Sequence, residues 1–208
     1  MRLIDVGESG VTHIGSGPSG MSACAITSSG GVECWGYTPY GSLGNGTTTE
    51  SGSPITVSNI SNAMQVSTGY FNICVVTTGQ QLRCWGYGGY GANGDGTTTT
   101  ISTPSTATLS GVLQACVGYG FTCALDSGGA VHCVGYNLYG ALGNGSTATS
   151  TSWVTTIASG ATAIGCGYYH ACATLSSGKA ECWGLGTDGQ LGQGSYASST
   201  TPVQVSGF

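Results

Sequence analysis

One passage recurs four times along the 208 residues of this chain: Cys24-Ala-Ile-Thr-Ser-Ser-Gly-Gly-Val-Glu-Cys34-Trp35-Gly36, followed by Tyr40-Gly41-Ser-Leu43-Gly44-Asn45-Gly46-Thr47. The later copies open at Cys74, Cys123 and Cys172, at offsets of 50, 49 and 49 residues. A period of this length marks a propeller or solenoid, in which each repeat is one supersecondary unit that cannot bury its apolar face alone. The chain therefore reads as one continuous stack: repeat 1 over 1–50, repeat 2 over 51–100, repeat 3 over 101–149 and repeat 4 over 150–200.

Each repeat divides into short β-prone runs. In the second copy these are Pro54-Ile-Thr-Val57, Ala63-Met-Gln-Val66, Cys74-Val-Val-Thr77 and Gln81-Leu-Arg-Cys84-Trp85. Gly, Ser, Asn and Pro bound them, and no helix-period stretch appears, so the expected class is all-β with four antiparallel strands per blade. The segment 201–208 repeats the opening strand of a repeat and is expected to be surplus to four blades. The start, Leu3-Ile-Asp-Val6, aligns with Pro54-Ile-Thr-Val57. A surplus strand could pair with the first blade or with a neighbouring subunit, since an unpaired edge is a template for another chain.

The hairpin between paired cysteines is the best-determined element. A turn centred on Ser29 sets Cys24 opposite Cys34, and the same arithmetic pairs Cys74 with Cys84, Cys123 with Cys133 and Cys172 with Cys182. Directly opposed residues lie about 4.5–5.5 Å apart, a spacing that a disulfide accepts. Each bridge would close a loop of about 11 residues, contributing roughly 2.5–3 kcal/mol in the chain-entropy account. A chain with 39 glycines gains much from such staples, because glycine loses the most freedom on ordering. Cys116 and Cys166 are left over, and two readings are open: a bridge between blades three and four, or two buried thiols. A metal site is disfavoured, since no Cys-x-x-Cys pair or histidine cluster accompanies the cysteines.

Only 5% of residues are charged and the net charge is −5. Arg2, Arg83 and Lys179 cannot form a phosphate-tracking surface, which excludes nucleic acid and polybasic membrane attachment. No apolar run approaches the ~20 residues that span a bilayer as a helix. Ten cysteines point to an oxidising, extracellular or cell-surface setting, although the first ten residues lack the apolar core of a signal peptide.

Candidate functional residues are few. Tyr37 and Tyr40, Tyr87 and Tyr90, and Tyr136 and Tyr139 occupy one loop register in three repeats, where repeat 4 has Leu185 and Asp188. Equivalent loops share one face of a propeller, so these tyrosines should cluster, either as a binding face for protein or glycan or as packing between blades. Asn45, Asn59 and Asn144 fit the N-glycosylation pattern, and Asn45 and Asn144 equally fit Asn-Gly turns. No catalytic, cofactor or metal site is expected: His13, His132 and His170 sit at unrelated registers, and Glu33 and Glu181 share theirs with Arg83 and His132.

The cysteine-to-Trp-Gly passage followed by Tyr-Gly-x-Leu-Gly-x-Gly-Thr resembles the repeat of the regulator of chromosome condensation family, over essentially the whole chain. The resemblance implies β-propeller blades of four antiparallel strands, and the cysteine-paired form resembles that of exported bacterial proteins. Family members usually close seven blades, whereas four repeats are present. The exchange-factor and chromatin roles of the nuclear founders do not carry over, because the basic surface is missing. The expected function is that of a non-enzymatic extracellular structural or interaction protein that self-assembles through its terminal strands into a larger ring or filament. The alternative is a secreted protein-binding or inhibitor module acting through the tyrosine loops.

Overall fold

The computed structural model describes residues 10–17 and 21–207. These form sixteen strands. The first sheet holds β1 (Val11–Ser16), β2 (Ser22–Thr27), β3 (Val32–Gly36) and β4 (Ser51–Thr56). The second holds β5 (Ala63–Thr68), β6 (Asn72–Thr77), β7 (Gln81–Gly86) and β8 (Ile101–Ser110). The third holds β9 (Val112–Val117), β10 (Phe121–Asp126), β11 (Val131–Gly135) and β12 (Ser150–Ile157). The fourth holds β13 (Ala161–Cys166), β14 (His170–Leu175), β15 (Ala180–Gly184) and β16 (Ser199–Gln204). In every sheet the spatial order follows the chain order and neighbours are antiparallel, so each blade is a meander.

The strand frame is offset from the repeat frame. Each sheet takes its last strand from residues that open the next sequence repeat, because β4 pairs with β3 at Cys34↔Ile55 and β16 pairs with β15 at Cys182↔Val203. The segment 201–208 is therefore no surplus strand: its described part belongs to the outer edge of the fourth sheet. The aligned N-terminal run Leu3–Val6 lies outside the described residues.

The paired cysteines of each sheet are joined: Cys24–Cys34, Cys74–Cys84, Cys123–Cys133 and Cys172–Cys182, with Cα atoms 4.0–4.1 Å apart. Cys116 and Cys166 are also joined, linking sheet three to sheet four. The residue after each hairpin, Gly36, Gly86, Gly135 or Gly184, has φ between 101° and 113°. A Cβ there would strike the backbone of the preceding loop, so only glycine fits.

Hydrophobic burial happens between sheets. Each of three core clusters joins the trailing face of one sheet to the leading face of the next. Ile26 and Val32 meet Ala63 and Val66 at the first junction. A tryptophan bolts each junction. The Trp85 indole N–H donates to the Ser42 carbonyl (2.8 Å) and that of Trp183 to Ala141 (2.9 Å). Sheet three has Val134 at this register, and Trp153 of β12 supplies the indole instead, donating to Gly94 (3.1 Å).

Two glutamines add a clasp that the repeat pattern did not single out. The Gln65 amide donates to the Ala115 carbonyl (2.9 Å) and accepts from its N–H (2.8 Å). Gln114 does the same to Ile164, at 3.0 and 2.9 Å. Replacing Gln114 by alanine leaves both Ile164 groups unpaired at a part-buried junction. We expect a loss of about 1–3 kcal/mol, read from the urea midpoint.

Sheets one and four share no packed interface, so the described array is an open arc.

Candidate functional site

A meander brings alternate loops to the same end of its sheet. The loop between first and second strands and the loop between third and fourth strands therefore open on one side, and the cysteine hairpins turn on the other. Short backbone bonds tie the two open-side loops within each blade. The Tyr87 N–H donates to Phe71 (3.0 Å), Tyr136 to Gly120 (2.8 Å) and Leu185 to Tyr169 (3.0 Å).

On that side ten aromatic rings form one continuous network. Tyr40 contacts Tyr87 across the first junction at 4.7 Å between centroids, and Tyr90 contacts Tyr136 across the second at 4.8 Å. At the third, Tyr139 meets Tyr169 at 4.6 Å, because Leu185 occupies the register where the other repeats carry tyrosine. An inner row runs Tyr70–Tyr119–Tyr168 at 5.0 and 4.9 Å, with Phe71 beside it. Backbone bonds follow the same row: Tyr70 N–H to Gly118 (3.3 Å) and Tyr119 N–H to Tyr168 (2.9 Å).

Five of the six tyrosines selected from sequence enter this network. Tyr37 does not: it is 49% exposed and makes none of the ring contacts of the network. The inner row, Tyr70, Phe71, Tyr119, Tyr168 and Tyr169, was not selected. Its signal was present as Gly-Tyr at 69–70, 118–119 and 167–168, once in each of the last three repeats.

The network is uncharged. Burial, reinforced by neighbouring tyrosines, raises the hydroxyl pKa of Tyr87, Tyr119, Tyr136, Tyr168 and Tyr169 above the ordinary value. The surface thus offers ring faces, ring edges and neutral hydroxyls to a ligand. Unfolded tyrosines ionise near pH 10 and these five resist, so stability is retained below about pH 10 and falls as pH rises beyond it. In an alkaline titration the phenolate absorbance of these five should accordingly appear together with unfolding.

His13 and His132 lie apart from this network, and His170 directly follows Tyr169 in the chain. His13 is exposed, and His170 is half-buried with its pKa lowered by that burial. His132 bridges Thr155 (3.2 Å) and Asp126 (3.0 Å) on the strands of sheet three. The other Asp126 oxygen accepts the N–H groups of Gly128 and Ala130, which locks the hairpin turn. Burial raises the Asp126 pKa, but these bonds outweigh it and the net shift is downward. At the same register Arg83 donates to Asn59 (2.7 Å) and Pro104 (3.3 Å). Among the described residues no group of three or more His, Cys, Asp or Glu is placed to hold a metal ion. Asn45 accepts from the N–H and hydroxyl of Thr47 (3.1 and 2.9 Å), a turn that Asp95 and Thr97 repeat in the next blade.

Comparison with known proteins bears on the architecture. Residues 65–92 and 161–190 match one model of the Regulator of chromosome condensation (RCC1) repeat, and residues 178–208 match another. No curated protein sequence matches the chain. The crystal structure of human WBSCR16 superposes with a TM-score of 0.87 at 24% identity, covering 99% of this chain and 55% of that one. Yeast RCC1 (Prp20) bound to Kap60 gives 0.85 at 15%, covering 99% and 50%. Prp20p from Saccharomyces cerevisiae, solved in a study of its binding to Gsp1p and histones, gives 0.85 at 15%, covering 99% and 52%. The chain spans about half the length of these structures, and at such identities the likeness is one of fold.

Proposed function

We propose that this chain, whose residues 65–92 and 161–208 match RCC1-repeat models and whose sheets form an RCC1-like β-propeller array, is a non-enzymatic, extracellular interaction module that presents its tyrosine surface to a protein ligand. The ten-ring aromatic network carries this reading. It crosses all three junctions, holds no charge, and combines contact area with neutral hydroxyls on side chains already restrained by their neighbours. The five disulfides support an oxidising location. Yeast RCC1 was solved with a protein, Kap60, bound to it, which favours a protein over a glycan as the ligand class.

The test is affinity capture from the extracellular fraction, with the wild-type chain beside a Tyr87→Ala/Tyr136→Ala variant. A protein held by the first and lost by the second supports the reading. Equal retention overturns it, and binding confined to a glycan array replaces protein with sugar. Intact mass decides whether Asn45, Asn59 or Asn144 is glycosylated.

A second reading, self-association into a larger ring or filament, is favoured by the apolar residues left uncovered on the first sheet. Val11 is 47% exposed and Ile14 is 62% exposed.

A further inference from the structure

The two ends of the arc differ from the inner sheets in opposite ways, and the differences fit each other. At the first strand, Ile14 occupies the register of Val66, Ala115 and Ile164, which are 7%, 1% and 7% exposed against its own 62%. Val11 occupies that of Ala63, Val112 and Ala161, which are 8%, 0% and 7% exposed against its own 47%. The leading face of sheet one thus keeps the side chains that the other three leading faces bury.

The trailing face of sheet four departs the other way. The pairs Ile26/Val32, Val76/Leu82 and Leu125/Val131 fill the three junctions, and the corresponding pair here is Thr174/Ala180. These smaller residues leave a groove of about 370 Å³ lined by Thr174, Leu175, Gly178, Lys179 and Ala180. The internal quartets are Ile, Val, Ala, Val; then Val, Leu, Val, Ala; then Leu, Val, Ala, Ile. Sheet four against sheet one would give Thr, Ala, Val, Ile. Small residues on one side meet large ones on the other, so the total volume matches and close packing is preserved.

Polar groups match as well. The N–H of Ala63, Val112 and Ala161 donates to the hairpin carbonyl of the preceding sheet, at Gly30, Gln80 and Gly129, each at 2.9 Å. The corresponding donor and acceptor at the ends are the Val11 N–H and the Gly178 carbonyl, neither of which has such a partner among the described residues. Gly46 and Gly145 donate to Ser102 (2.9 Å) and Thr200 (2.8 Å) of the next sheet, and Gly194 and Gly52 hold the equivalent places. The indole of Trp35 likewise lacks the loop carbonyl that Trp85 and Trp183 reach.

We propose that the trailing face of sheet four receives the leading face of sheet one of a second copy, so that two arcs close head to tail. This rests on the self-association reading above and names its surfaces. Two identical heterologous junctions close such a pair of four-sheet arcs under a two-fold rotation, as a ring of eight sheets.

Sedimentation velocity of the full chain across a concentration series tests the proposal. The expected result is a species of twice the chain mass. Ile14→Arg and Thr174→Arg alter residues exposed in the single arc, so both should fold, and each alone should abolish the dimer. Their mixture should restore a pair, because one of the two junctions is then formed by unaltered faces. A monomer at every concentration overturns both the self-association reading and this junction. A dimer that survives both substitutions overturns only the junction. Species larger than two copies overturn the closure. A monomer in which Trp35 is nonetheless protected from hydroxyl-radical labelling places another segment of chain on that face and also overturns it.

Discussion

Replacing Trp85 by alanine is expected to destabilise the chain by about 3–5 kcal/mol, the range for large aromatic truncation in a core. Trp85 has no exposed surface, and its ring fills the space that a side chain at Gly44 would need. Its indole also satisfies the Ser42 carbonyl inside the junction, so truncation opens a cavity and strands an acceptor. The loss falls on an interface and not within a sheet, because hairpin registers and disulfides stay intact. In a stacked array stability is approximately a sum of unit and neighbour terms, so a weakened first junction should let sheet one open before the rest. Urea unfolding followed by hydrogen exchange reads both effects: a lowered midpoint, and early exchange confined to β1–β4. A Trp35→Ala control in dilute solution should cost about 1 kcal/mol, since no preceding sheet covers it there. Equal losses for the two would refute the junction account.

The elements read best from sequence were those whose chemistry repeats with the period. The hairpin cysteines stand ten residues apart in all four copies, and antiparallel register leaves one way to oppose them. The strand frame was harder, because a tandem repeat has no privileged starting point. Only the pairing of β3 with β4 shows that Ser51–Thr56 belongs to the sheet before it. Trp153 escaped for a related reason. It stands in for the indole missing at Val134 from a different strand, so alignment of like with like cannot find it. The inner tyrosine row repeats too, but a Gly-Tyr pair looks like any turn until the meander brings both loop sets to one side. Thr174 and Ala180 were visible as departures from an apolar register. Their meaning depends on knowing that this pair faces the next sheet.

Removing the Cys116–Cys166 bridge is expected to cost more than removing any hairpin staple. It spans a sequence separation of 50 against 10 for the others, which in the chain-entropy account corresponds to about 4 kcal/mol against roughly 2.5–3. The three junctions are graded in how their trailing first strands grip the next sheet. At the first, Gly15 has no side chain, and at the second the Ser67 hydroxyl accepts the Val117 N–H (3.1 Å). At the third, Cys116 stands in the Ser67 register and Cys166 in that of Val117, so a covalent bond replaces a hydrogen bond. Two double variants separate the contributions. Cys116→Ala/Cys166→Ala removes every link at this position, whereas Cys116→Ser/Cys166→Val rebuilds the second junction within the third. Both lose the loop constraint, but the serine variant should recover about 1 kcal/mol from the restored hydrogen bond. Chemical denaturation of the two variants beside the parent chain measures the difference. If they prove equally unstable, the bridge acts through the unfolded chain alone, and the junction geometry adds nothing to it.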